Sequence, residues 1–230
     1  MKVTIQSSVF TKFPHLSVMV FVASKVDNVS HTEQVGHLVS EAAKLAQLTF
    51  HKKTLKSHHL ISPWVTVQRE FGSKARMYHT SVELLLKKVL ARNHVVAHNT
   101  LTNILRYVTL RHLVPIGVDD VRKVRGNLTF SLAQGHERAH VFARVKRGAL
   151  FYRDQQGVLG TKLDYWKSAR TAVHKNTTKA VFHVLCMPPT TLADSRIMAK
   201  EMEDLLTGFC GAKVSGAVLN SRKRSVILKV

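Results

Sequence analysis

The chain has 230 residues, 45% of them hydrophobic, enough for one well-buried core or two small ones sharing an interface. It carries 35 Lys and Arg against 14 Asp and Glu, a formal net charge of +21, which points to a polyanionic partner unless the basic surface serves solubility alone. No stretch approaches the ~20 apolar residues of a membrane helix, and the two cysteines, Cys186 and Cys210, lack the spacing of a disulfide framework or zinc knuckle.

Residues 2–6 and 16–23 are β-branched and partly alternating, which predicts two strands with a turn at Phe13-Pro14 and an end at Asp27-Asn28. The opening stretch has no long apolar region and no small-residue cleavage pattern, so a reduced, cytoplasmic, soluble protein is expected. From Thr32 the period becomes helical: Val35, Leu38, Val39, Ala42, Leu45 and Ala46 share one face, with Glu33 in the first turn. Ser62-Pro63-Trp64 reads as a helix start, with Pro63 where its missing N–H costs nothing. Trp64, Val67 and Phe71 would follow on one face before Gly72.

Thr80 or Ser81 caps the next predicted helix, whose stripe is Val82, Leu85, Leu86, Val89 and Leu90, with Lys87-Lys88 outward. Asn99 or Thr100 caps another over 100–113, with Leu101, Ile104, Leu105 and Val108 inward; Pro115 and Gly117 break it. Asp119-Asp120 opens one short helical turn through Lys123. After Gly126 the period drops to two, giving short strands at 127–133, 149–153 and 158–163. Residues 180–187 are almost continuously apolar, as a strand buried on both faces would be, and Pro188-Pro189 ends it. A long helix over 191–209 turns Leu192, Met198, Met202, Leu205 and Phe209 inward, with Gly211 beyond its end. Strands at 213–219 and 225–230 close the chain around a basic turn of Ser221, Arg222, Lys223 and Arg224. Without repeats or a Pro/Ser linker, one domain over 1–230 is expected: a lead-in over 1–58, a middle, and a helix and strands over 191–230. Helices first and strands later argue for an α+β fold.

The motifs exclude several chemistries. His136 and His140 are four apart, as are His94 and His98, but no third or fourth ligand can be named for a metal. There is no G-x-S-x-G or Cys-His arrangement for covalent catalysis. No phosphate loop or GxGxxG occurs, so no cofactor, and no nucleotide cofactor in particular, is expected. Asp119 and Asp120 are adjacent and cannot point the same way. Tyr152-Arg153, Tyr165-Trp166-Lys167 and Arg170 interleave aromatic and basic groups, suiting either stacking on unpaired bases or a place in the core and its rim.

Taken together, the runs YHTSVELLLKKVL, N-x3-N-x2-RYVTLRHLVPIG, D-x2-V-x-G-N-L-x-F, and R-T followed by A-V-F-H-V and P-P resemble the B3/B4 domain. This is the editing and tRNA-binding domain of the phenylalanyl-tRNA synthetase β chain, which also exists as stand-alone proteins. The resemblance is strongest over residues 60–190. It implies a three-layer β-β-α sandwich, and a cleft in which a positioned water hydrolyses a wrongly attached amino acid from the tRNA 3′ end. Such chemistry needs a proton acceptor and donors for the oxyanion, but no covalent nucleophile.

On this resemblance Asn99, Pro115, Gly117, Arg170 and Thr171 would form the substrate pocket, and Arg106, Arg153, Tyr165, Trp166 and Lys167 would meet RNA. The sequence departs from the synthetase pattern in two places. Its editing histidine is missing after Pro115, and His183 stands nearest the position of a site Glu. An imidazole there could still accept a proton from water near neutral pH, which makes His183 the candidate catalytic residue. Two functions follow: a tRNA-binding protein that hydrolyses mischarged aminoacyl-tRNA in trans, or a module that binds RNA or a small ligand without catalysis. No complete aminoacylation core fits in the chain, and no membrane contact is expected.

Overall fold

A computed structural model describes residues 1–64, 80–140, 143–161 and 166–229. Strand β1 (Lys2–Ile5) leads into a short helix α1 (Ser7–Lys12) and strand β2 (Ser17–Ser24). Helix α1 was not expected; it is one turn and a half long and earns its place by burying Val9 and Phe10. Helix α2 (Thr32–Thr49) has Glu33 in its first turn, as expected. Its inward stripe is Val35, Val39, Ala43 and Ala46, whereas Leu45, predicted inward, is 65% exposed. Residues 62–64 are helical and Trp64 is buried, as their sequence predicted; Val67, Phe71 and Gly72 lie outside the described residues.

Helix α3 (Ser81–Leu90) is capped by Thr80, whose hydroxyl accepts from the Glu83 N–H. Helix α4 (Thr100–His112) is capped by Asn99, which accepts from the Thr102 N–H. Leu113 then adopts a left-handed conformation and ends the helix. The segment after it differs from expectation: Ile116–Asp120 is strand β3, paired with the apolar run, so Gly117 sits in a ladder and not in a turn. The short turn predicted to follow is present as a 3-10 turn over Val121–Lys123, and its cap is Asp120.

Strand β4 (Leu128–Leu132) precedes a hairpin of β5 (Arg138–His140) and β6 (Ala143–Arg144), then β7 (Leu150–Arg153), β8 (Val158–Thr161) and β9 (Trp166–Lys167). Strand β10 (Lys179–Cys186) is the apolar run, buried along almost all its length. Helix α5 (Leu192–Cys210) begins at a capping box of Thr191 and Asp194 and ends on left-handed Gly211. Met198 and Met202 are buried as predicted, but Leu192 is 61% exposed. Strands β11 (Lys213–Leu219) and β12 (Ser225–Ile227) complete the order.

Apart from the separate β5–β6 pair, the described strands form two stacked sheets. The outer one runs β12-β1-β4-β7-β8-β9 and the inner one β11-β2-β10-β3. Because successive side chains on a strand face opposite ways, β2 serves both sides of the inner sheet. Val18, Val20 and Val22 pack against Ile5, Leu128 and Phe130 of the outer sheet. Met19, Phe21 and Ala23 pack against Leu101, Ile104 and Val108 of α4 and Met198, Met202 and Leu206 of α5. A further cluster joins Val39 and Ala43 of α2 to Leu86 and Val89 of α3 and Leu110 of α4. The architecture is a β-β-α sandwich of α+β class.

Candidate functional site

The inner and outer sheets enclose mostly aliphatic side chains, but at one end the packing turns polar. Strand alternation sends Asp119 of β3 between the sheets and Asp120 the other way. Asp119 is fully buried. One carboxylate oxygen accepts from the Thr171 hydroxyl at 2.6 Å; the other accepts from the Tyr152 hydroxyl at 2.8 Å and the Lys167 ammonium at 3.0 Å. Lys167 also donates to the Val118 carbonyl at 3.1 Å and to the Tyr152 oxygen. A buried carboxylate demands this saturation, since an unpartnered one would carry a large desolvation cost.

His183 faces Gly117 across the β10–β3 ladder and projects into the same space. It is 2% exposed, with the Tyr152 ring edge-on at 4.6 Å and the Phe130 ring at 5.2 Å. Phe130 and Tyr152 stack at 5.2 Å. The room left among Phe130, Tyr152, Gly160, Thr161 and His183 is about 10 Å³, close to the minimum for one water.

Beside this cluster, Asp154 forms a second anchor. It accepts from the Arg125 N–H and from the Arg170 guanidinium, both at 2.8 Å. Burial alone would raise the Asp154 carboxyl; the hydrogen bonds from Arg125, Arg170 and Gln156 outweigh it and hold the group below its ordinary value. The Arg170 guanidinium also donates to the Lys123 carbonyl, tying the 3-10 turn to the segment that carries Thr171.

The structure therefore brings together Gly117, Lys167, Thr171 and His183, with Arg170 on Asp154 alongside. Pro115 lies buried at the start of β3, its carbonyl accepting from the Leu185 N–H. Trp166 is half-buried in β9 at the sheet edge, Arg153 is exposed at the end of β7, and Tyr165 lies outside the described residues. Two residues stand apart in the helical layer. Asn99 caps α4, and Arg106 donates from its guanidinium to the Val95 carbonyl at 2.9 Å. Sequence reasoning took Asp119 for part of a helix start and Tyr152 for a base-stacking or core aromatic, and it missed Asp154. The signal was present in the adjacent Asp119-Asp120, which on a strand must split between two faces.

Both thiols are chemically quiet. Burial pushes Cys186 up to about 11 and Cys210 to about 12, so neither is a thiolate at neutral pH. Among the described residues no three His, Cys, Asp or Glu side chains gather as metal ligands, and no helix is long and apolar enough to cross a membrane.

Comparison with curated proteins returns no match. Among solved structures, an N-terminal fragment of the phenylalanyl-tRNA synthetase β-subunit from Pyrococcus horikoshii is similar, at 13% identity and a TM-score of 0.42. The match covers 51% of this chain and 42% of that one, less than half the fragment's length. The sequence pattern of the B3/4 domain family matches residues 66–205, more than half of the 230 residues, through β3, the site strands and most of α5; the chain belongs to the B3/4 domain family.

Proposed function

We propose that the protein binds tRNA, or an RNA of similar fold, as a module without hydrolytic turnover. The observation that carries this reading is the β5–β6 hairpin. Its register sets Arg138 directly opposite Arg144, both exposed, with Arg147 exposed just beyond. Like charges opposite one another destabilise a ladder, and among the described residues no carboxylate pairs with these three. The nearby Glu137 is turned to the backbone, accepting from the Gln134 and Gly135 N–H groups. Such an arrangement suits a partner that supplies phosphates. Membership of the B3/4 family, with the sequence resemblance to the synthetase's tRNA-binding domain, narrows the polyanion to tRNA.

The closed inter-sheet site supports the non-catalytic half of the reading. Esterified amino acid and terminal adenosine would both have to enter a space of about 10 Å³, while Asp119 already has three donors. The test is a filter-binding titration of tRNA from ~50 to ~200 mM salt. The expected result is a loss of affinity of more than tenfold across that range. Arg138→Gln with Arg144→Gln should flatten the salt slope by about two phosphate contacts. Salt-independent binding, or an unchanged slope in the double variant, would sink the proposal.

A second reading, deacylation in trans, is favoured by the concentration of titratable groups around Asp119, Lys167 and His183, since such clusters collect at reactive sites. It requires the sheets to part over His183. A panel of correctly and wrongly charged tRNAs decides it: release above background that His183→Ala abolishes supports hydrolysis, and no release from any species removes it.

A further inference from the structure

Away from the sheets, residues of helices α3 and α4 line a cavity of about 160 Å³. Spacing explains which side chains reach it. Ser81, Leu84, Leu85 and Lys88 recur along one face of α3, and Leu105, Arg106 and Thr109 along one face of α4. Leu85, Leu105 and Val95 give the cavity an apolar wall, and exposed Lys88 and His94 stand at its mouth.

Three polar groups on the residues of its wall are underused. Arg106 is half-buried; of its five guanidinium donors, among the described residues one is engaged, on the Val95 carbonyl. Among the described residues no carboxylate pairs with it or lines the cavity. Burial alone shifts its guanidinium downward from the ordinary arginine value, as expected of a cation set in apolar surroundings without a counter-ion. The Thr109 hydroxyl is buried, on a residue 2% exposed, and among the described residues has no hydrogen-bond partner. The Ser81 hydroxyl on the facing helix is buried and unpartnered as well. Buried polar groups are seldom left unsatisfied, and here two residues of the cavity wall carry buried hydroxyls without a partner beside a cation with spare donors.

We propose that this cavity is a binding site for a small organic monocarboxylate with a compact apolar body. Arg106 receives the carboxylate, Thr109 and Ser81 donate to it or to an adjacent oxygen, and the leucines enclose the body. A cavity of ~150 Å³ is known to take benzene, so a benzoate-sized ligand fits. Guanidinium–carboxylate pairing is the strong, planar form of charge-assisted hydrogen bond. The site is separate from the basic hairpin and from the space between the sheets, so it stands or falls independently of tRNA binding and of deacylation.

The experiment is calorimetric titration of the full chain with sodium benzoate in a carboxylate-free buffer, with benzamide and inorganic phosphate in parallel arms. Benzoate should bind saturably at one site, at least about tenfold more tightly than either, tenfold being 1.4 kcal/mol. Arg106→Gln should weaken benzoate by about tenfold or more, and Arg106→Lys by less. Thr109→Val separates ligand binding from folding: it removes an unsatisfied buried hydroxyl at nearly constant shape. It should leave the free protein at least as stable to urea while weakening benzoate several-fold. Absence of saturable benzoate binding to the native chain overturns the proposal. So does equal binding of benzamide, tighter binding of phosphate, or unchanged affinity in Thr109→Val. Should Arg106→Gln fail to fold, the Thr109 variant and the benzamide arm still decide the matter.

Discussion

Asp119 has no exposed surface, and its three donors come from three separate strands or turns. Removing one donor leaves a buried lone pair unsatisfied, which costs about 1–3 kcal/mol. Thr171→Val, close to isosteric, should therefore destabilise by that amount in urea unfolding. Asp119→Ala does more, because it strands the Lys167 ammonium. The expected loss lies near the lower end of the ~3–5 kcal/mol seen for a broken buried pair, since the Lys167 side chain keeps 24% of its exposure. Two further carboxylates set the response to acid. Hydrogen bonds from Ser30 and Val29 pull Asp27 down to about 2; Asp154, despite its burial, is also held low. A depressed folded-state value means stability that is complete above the unfolded value near ~4. That stability is lost as pH falls through the folded one. Unfolding free energy should thus fall between about pH 4 and pH 2. Arg170→Met, by releasing Asp154, should make that acid limb shallower while lowering stability at neutral pH.

At the scale of elements, caps and periodicity were legible before any coordinates. Thr80, Asn99 and Gly211 end their helices where their chemistry said they would. Asn99→Ala should cost about 1 kcal/mol, and Asn99→Ser much less, read from thermal unfolding. Two kinds of feature escaped. Strand β3 reads Ile-Gly-Val-Asp-Asp, a poor strand by propensity; it forms because β10 offers a ladder edge and because Tyr152, Lys167 and Thr171 accept Asp119 into the core. That is a tertiary contact across at least 33 residues of sequence, which local patterning cannot reach. Likewise Leu45 and Leu192 look inward by period but are largely exposed. The inner sheet also hides a close approach: a Cβ on Gly216 of β11 would lie 2.5 Å from the Phe21 ring. Phe21 packs against the helical layer, so Gly216→Ala should destabilise by about 1–3 kcal/mol through overpacking. A neutral result in urea unfolding would mean the ring has room to swing aside.

Across the whole molecule, charge is the dominant property. A formal +21 repels itself, and compaction raises that repulsion. The free protein should gain melting temperature as salt rises from ~10 to ~150 mM, where the screening length contracts to about 8 Å. Arg138→Gln with Arg144→Gln should raise the melting temperature at low salt and shrink its salt dependence, a readout independent of RNA. A melting temperature that falls with salt would show that attractive surface pairs outweigh the excess.

Strand β2 spans residues 17–24, yet its two partners in the inner sheet are residues 179–186 and 213–219. Every ladder bond that holds it waits on chain more than 150 residues away. At ~5–20 residues per second of synthesis, Val18 to Ala23 spend roughly eight to thirty seconds as an unpaired apolar strand. Contacts so distant in sequence also slow refolding from denaturant. The two-faced strand that makes the sandwich cohesive once assembled is thus the segment most exposed to misassociation while it is being made, and the natural place for a holding chaperone to bind.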